Sequence, residues 1–123
     1  LLNWHPKNPI ALVEAPKTAI YGTLNFGFPE RTENFLWLAV YNLSSLNYEK
    51  CKVLEGRKVI LYPDTSEKGT AYKLWEEKAE HFNKVIPNSK FWVSKYLEKT
   101  ATKEEKVQGF DLADYLNKKS LAA

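Results

Sequence analysis

The sequence predicts an α/β domain built as a three-layer sandwich around a four-stranded, mainly parallel sheet. Short apolar runs alternate with segments of helical spacing along the 123 residues. A continuous apolar run is typical of a strand that is buried on both faces, as in parallel sheets. The repeated order of strand and then helix favours helices on both faces, joined by right-handed crossovers. We therefore expect one domain over residues 1–123, with a core over about residues 10–116.

The predicted strands are the apolar runs, which stop where polar or turn-forming residues begin. Glu14 follows the first run, and Pro63 and Asp64 follow the third. Residues of these types commonly end strands and start turns. The expected strands are residues 10–13, 35–40, 59–62 and 91–93.

The predicted helices follow from helical spacing and from end signals. Residues 71–82 have the clearest apolar face. Thr102 and Glu105 have the spacing of a capping box, which favours a surface helix that Gly109 ends. A turn is expected at Ser44 and Ser45. The expected helices are residues 17–26, 48–54, 71–82 and 102–109, with one or two further turns over residues 111–116.

Composition limits the possible classes of protein. Charged residues make up 27% of the chain and aromatic residues 14%, with a net charge of +3. This balance predicts a folded domain that is compatible with a polyanionic partner but does not require one. No apolar run approaches the roughly 18 residues of a membrane span, so we expect no membrane partner. Cys51 is the single cysteine, which excludes an internal disulfide and a multi-cysteine zinc site.

The cellular setting and the extent of the parent protein are expectations from the same composition. One cysteine and the lack of a signal-peptide pattern favour a cytoplasmic location. The chain contains no methionine. We therefore expect a piece of a longer protein, whose other domains would be among its partners.

Two carboxylates are candidates for a site, because each follows a predicted strand. Glu14 ends the first strand and Asp64 the third. With strand order 2-1-3-4, these strands are neighbours at the switch point, about 4.8 Å apart. Paired carboxylates there would suit Mg²⁺, which could then engage a phosphate. The alternative is that each residue simply forms a turn or caps a helix.

The two chain segments that contain Glu14 and Asp64 resemble the motifs of the Toprim family. Residues 10–19 are similar to its first motif, an apolar strand that ends in glutamate, here Glu14. Residues 59–69 are similar to its second, a strand followed by Asp-x-Asp-x-x-Gly, with Asp64, Ser66 and Gly69 at the three fixed positions. The closest likeness is to primase-like Toprim proteins of bacterial plasmids and mobile elements. It extends over about residues 10–116.

The resemblance implies a Toprim, Rossmann-like fold and an acidic site for Mg²⁺ or Mn²⁺. Glu14 would bind metal or serve as a general acid and base, and Asp64 would be a metal ligand. Ser66 replaces the second aspartate, and a hydroxyl is a weaker Mg²⁺ ligand than a carboxylate. Asp111 and Asp114 are similar to an acidic stretch near the end of primase-type Toprim domains. They are candidates to supply the missing carboxylate.

Three residues near these acids are candidates for contacts with phosphate. Lys17 and Thr18 lie at a predicted helix N-terminus, where free N–H groups and the helix dipole attract anions. Lys68 lies in the loop after Asp64. The alternative for both lysines is a solvated surface charge. The tryptophans could stack on bases, but their strand and helix positions favour core packing.

Two functional hypotheses stay open from the sequence. In the first, the chain is a domain of a primase-like DNA-processing protein that binds Mg²⁺ and acts on nucleic-acid phosphates, DNA or RNA, with phosphoryl transfer as the possible reaction. In the second, it is a degenerate, non-catalytic Toprim scaffold that binds nucleic acid or protein, and Ser66 marks the lost chemistry. A flavodoxin-like receiver or small-molecule domain would share the layers, but Glu14 would have no role in it.

Overall fold

The computed structural model describes residues 4–41, 46–66, 68–109 and 111–122, with the backbone alone over residues 118–122. These residues form four strands and six α-helices, which alternate as far as β4 and end in three successive helices. The strands are β1 (Ile10–Val13), β2 (Leu36–Ala39), β3 (Lys58–Tyr62) and β4 (Lys90–Val93), and the helices are α1 (Pro16–Phe26), α2 (Tyr48–Cys51), α3 (Thr70–Val85), α4 (Tyr96–Thr100), α5 (Lys103–Val107) and α6 (Leu112–Ala122).

The four strands form one sheet in the order β2-β1-β3-β4. All three pairings are parallel, and Ile10 lies level with Leu36 of β2 and Val59 of β3. From β1 the chain adds β2 on one side of the sheet, and it then crosses over to add β3 and β4 on the other side. The carboxyl ends of β1 and β3 are therefore the topological switch point. The predicted α/β class with a four-stranded parallel sheet is confirmed, and the strand order is the one under which the strands before Glu14 and Asp64 are neighbours.

The core lies on both faces of the sheet, so the molecule has three layers. On one face, alternate strand residues such as Leu12 and Leu61 pack with Trp75 and Phe82 of α3. On the other face, Val13 and Trp37 pack with apolar residues of α1, α4 and α6. Strands covered on both sides are apolar throughout, which is why their sequences read as continuous runs. No helix among the described residues is long and apolar enough to cross a membrane.

Several element bounds differ from those predicted. The second strand is shorter than residues 35–40, and the helix predicted over residues 48–54 ends at Cys51 and continues as a 3₁₀ turn to Leu54. Helix α4 was not predicted, because its five residues bury only Leu97 and show no helical period. Helix α6 continues to Ala122. The turn predicted at Ser44 and Ser45 lies outside the described residues.

Helix α1 is held close to the sheet at Gly22. Pro16 occupies its first turn, where a missing N–H costs nothing. Gly22 faces Trp37 of β2 so closely that a Cβ there would come within 2.5 Å of the indole ring. This contact fixes the depth at which α1 lies on β1 and β2. The helix begins at Pro16, two residues after Glu14.

Candidate acidic site at the carboxyl edge of the sheet

Glu14 and Asp64 lie side by side at the switch point. Glu14 follows β1, and Asp64 follows β3 after Pro63. The backbone N–H of Asp64 donates a hydrogen bond of 3.0 Å to Oε2 of Glu14. Parallel pairing of β1 with β3 creates this contact, since it brings the two carboxyl ends to the same edge.

Helix α6 brings two more acids to the same edge. Asp111 is buried, and it caps the first turn of α6 reciprocally with Asp114. The N–H of Asp114 donates to Oδ1 of Asp111 at 2.8 Å, and the N–H of Asp111 donates to Oδ2 of Asp114 at 3.1 Å. The two carboxylates therefore stabilise the helix N-terminus, as capping side chains do. Both contribute to the electrostatic potential at Asp64.

The crowding of acids changes the ionisation of Asp64. Burial, together with the nearby charges of Glu14, Asp111 and Asp114, raises the pKa of its carboxyl to about 8. A hydrogen bond with the Glu14 side chain also favours the protonated form. Burial likewise raises the pKa of Asp111. A cluster of acids whose negative charges raise the pKa of one member is one that a cation would stabilise.

The donor set fits a hydrated Mg²⁺ better than a fully protein-bound metal. Among the described residues, no three His, Cys, Asp or Glu side chains are grouped so as to hold a metal ion as they stand. Mg²⁺ commonly takes only one or two carboxylates and keeps several waters. Glu14 and Asp64 are such a pair, and Asp111 and Asp114 add negative charge nearby.

Two residues predicted to contact phosphate lie at the start of α1, where they contact Asp111 and Asp114. Thr18 is buried, and its hydroxyl donates to Oδ2 of Asp111 at 3.4 Å. Lys17 is more than half exposed, and its Nζ lies 3.7 Å from Oδ1 of Asp114. The hydroxyl of Thr18 is therefore occupied within the fold, whereas Lys17 keeps its amine at the surface.

The loop between β3 and α3 contacts the N-terminus of α3. Ser66 accepts a 3.2 Å hydrogen bond at Oγ from the N–H of Ala71. Its carbonyl accepts from Gly69, which has a φ of +69° that glycine adopts without strain. Lys68 is exposed on this loop. Ser66 thus stabilises the start of α3.

The capping pair is a site feature that sequence reasoning missed. The Asp-x-x-Asp spacing at residues 111 and 114 resembles the Ser/Thr-x-x-Glu spacing of a capping box. That spacing could have predicted the start of α6. Local spacing does not predict its closeness to Glu14 and Asp64, which depends on α6 packing against α1; only the family resemblance had made the two acids candidates for this site.

Other candidate residues lie away from this edge or in the core. Trp37 and Trp75 are buried, as the core interpretation expects, and Trp4 is exposed. His81 is exposed on α3. Cys51 is buried, and burial raises the pKa of its thiol to about 11, which does not suit a nucleophile.

Fold and site together define an α/β domain whose parallel sheet has an acidic carboxyl edge. Residues 1–65 match the model of a family described as a domain of unknown function, DUF6371. The match covers more than half of the chain, and the chain belongs to this family. The matched segment includes Glu14 and Asp64 and ends before α3. Searches of curated proteins and of solved structures found no match.

Proposed function

We propose that the chain is a Toprim-like domain of a primase-like DNA-processing protein. In this proposal, Glu14 and Asp64 bind Mg²⁺ or Mn²⁺ and hold a nucleic-acid phosphate at the carboxyl edge of the sheet. The observation that supports it is the 3.0 Å hydrogen bond from the Asp64 N–H to Glu14 at the switch point. Two acids that follow adjacent parallel strands are held by the backbone, which is the rigid placement a metal site needs.

The roles of the site residues follow from their contacts. Asp64 and Glu14 would be the direct ligands, and Asp111 and Asp114 would increase the negative potential that attracts the cation. A bound Mg²⁺ would neutralise charge on a phosphate oxygen. Glu14, whose Oε2 already accepts one hydrogen bond, is the residue that could also accept or return a proton.

Lys17 supports a phosphate at the same edge. Its amine lies at the surface beside Asp114, at the N-terminal end of α1. The +0.5 partial charge of a helix N-terminus and a lysine amine both attract phosphate. We therefore assign Lys17 to the phosphate, Thr18 to the positioning of Asp111, and Lys68 to a peripheral contact from the neighbouring loop.

A second function, a non-catalytic binding module, is favoured by one observation. The hydroxyl of Ser66 accepts a hydrogen bond from α3 at the position where the Toprim pattern has a second carboxylate. In this second function the domain lacks one metal-binding carboxylate and holds no Mg²⁺. It would therefore bind nucleic acid through its surface lysines alone. Such binding depends steeply on salt and needs no divalent cation.

Binding of a fluorescent single-stranded oligonucleotide, measured in MgCl₂ and in KCl of equal ionic strength, separates the two functions. The proposal expects Mg²⁺ to increase affinity about tenfold, which is a modest coupling free energy. Glu14→Gln and Asp64→Asn should abolish that increase and leave binding in KCl similar. Lys17→Gln should weaken binding in both salts, because it removes a phosphate contact.

Each alternative has its own outcome. Equal affinity in both salts, with a steep dependence on ionic strength, supports the binding module. An increase with Mg²⁺ that persists in Asp64→Asn contradicts the site proposed here. No binding in either salt contradicts the first function and the nucleic-acid form of the second, which leaves a module that binds protein.

A further inference from the structure

Helix α1 and the loop after it present an apolar surface to solvent beside strand β2. Four large apolar residues keep half or more of their area exposed. Three belong to α1, namely Ile20 at 58%, Leu24 at 64% and Phe26 at 50%, and Phe28 in the following loop is 55% exposed. Isolated exposed apolar residues are ordinary, but a contiguous patch of this kind marks an interaction surface.

The same segment contains no charge. Residues 18–29 form a twelve-residue run without Asp, Glu, Lys or Arg, in a chain of which 27% is charged. Helix α3, which covers the opposite face of the sheet, carries Lys73, Glu76 and Glu80 among its exposed residues. A solvent-exposed helix ordinarily carries charged residues on its outer face, as α3 does. The uncharged outer face of α1 is typical of a helix that is covered by another surface.

The surface has both a ridge and a groove. Leu24 forms the ridge, because it borders two depressions of about 250 Å³ and 150 Å³. The larger is an apolar groove lined by Ile20, Phe28 and the buried Trp37. Trp37 is stacked between Phe26 and Tyr62 and forms the firm floor of this groove.

We propose that this surface, which we call the α1 face, binds the α1 face of a second copy of the chain around a two-fold axis. An isologous interface must be self-complementary, and here the Leu24 ridge of one copy can enter the groove beside the Leu24 ridge of the other. Equivalent residues approach each other near a two-fold axis, so like charges would repel there. The uncharged face of α1 avoids that repulsion in a chain of net charge +3.

The size of the patch agrees with a dimer of modest stability. At about 200 Å² for a fully exposed large side chain, the four apolar residues offer roughly 400 Å². A standard interface buries about 800 Å² on each partner, of which somewhat more than half is apolar. The α1 face supplies about that apolar share. The face also lacks cations, which argues against nucleic acid as its occupant.

Sedimentation equilibrium of the chain, from micromolar concentrations to about 0.5 mM, tests the proposal in the range of a modest Kd. The average mass of the wild type should rise towards twice that of one chain. Leu24→Glu should weaken dimerisation tenfold or more, on the order expected for burying an unpaired carboxylate. Ile20→Lys should act in the same way, and it replaces Leu24→Glu if that variant does not fold.

Val53→Glu is the matched control. Val53 is 62% exposed but follows α2, which packs on the opposite face of the sheet. This variant should dimerise as the wild type does. A wild type that stays monomeric over the whole range overturns the proposal and leaves the α1 face to a partner of different sequence. Folded Leu24→Glu and Ile20→Lys variants that dimerise normally also overturn it.

Discussion

Asp64 shows how one backbone position can set the chemistry of a side chain. It follows β3, so its N–H donates to Glu14 and its carboxyl lies among three other acids. Burial and those charges raise its pKa to about 8 from an ordinary value of 3.8. The folded chain therefore holds a proton over a pH range in which the unfolded chain has lost it.

This difference predicts how stability depends on pH. Between pH 3.8 and about 8 the folded state binds more protons at Asp64 than the unfolded state does. The free energy of unfolding should therefore fall as pH rises through this range. Asp64→Asn cannot ionise, so its decline should be clearly smaller, with a remainder from Asp111, whose pKa is also raised. Urea unfolding over this pH range measures the difference.

The control for that experiment is Glu80→Gln. Glu80 is an exposed acid on α3. Its profile should run parallel to that of the wild type. If Asp64→Asn also runs parallel to the wild type, Asp64 does not carry the raised pKa.

Cys51 gives a second test at the residue scale. Its side chain is 1% exposed and burial raises its pKa to about 11, so the reactive thiolate is scarce at neutral pH. Native protein should react with iodoacetamide at least about a hundredfold more slowly than protein in denaturant, because of the thiolate fraction alone. Mass spectrometry over time measures both rates. Equal rates would mean that Cys51 is exposed in solution.

At the scale of elements, the contact of α1 with β2 depends on a glycine. A Cβ at position 22 would lie 2.5 Å from the ring of Trp37, which is itself confined by Phe26 and Tyr62. Gly22→Ala should destabilise the fold by about 1–2 kcal/mol, since overpacking costs more than the gain in helix propensity. Urea unfolding measures this. Asn25→Ala, at an exposed position of α1, should change stability much less, and an equal or greater stability of Gly22→Ala would contradict the packing described.

The elements differ in how well the sequence predicts them. The strands were predictable because burial on both faces of a parallel sheet makes each an apolar run. Their order was assumed as a condition of the site hypothesis, because the runs alone do not specify which strands are adjacent. Helix α5 was predictable from its capping box. Helix α4 was not, because a five-residue helix with only Leu97 buried has no measurable period.

The residues of the candidate site also differ in how well the sequence predicts them. Glu14 and Asp64 were predictable as neighbours, because strand pairing alone determines their distance. The position of Asp111 and Asp114 near Asp64 depends on the tertiary packing of α6 against α1, which no local sequence pattern specifies. The hydrogen bond of Thr18 to Asp111 was unpredictable for the same reason, since it joins residues 93 positions apart in the chain.

At the scale of the whole molecule, a basic chain carries a concentrated acidic edge. The net charge is +3, yet four carboxylates lie close together at the switch point of the sheet. Only Lys17 forms an ion pair with one of these acids among the described residues, at 3.7 Å from Asp114. Such an edge attracts small cations even when the protein as a whole does not.

The central claim is that this edge binds a divalent cation, and a calorimetric titration with Mn²⁺ tests it most directly. The titration is performed near pH 8, where about half of Asp64 is ionised, in two buffers of different ionisation enthalpy. The account predicts saturable binding that releases protons, that Mg²⁺ displaces, that Asp64→Ala loses and that Glu80→Gln retains. Absence of saturable binding by the wild type, or unchanged binding by Asp64→Ala, would contradict it.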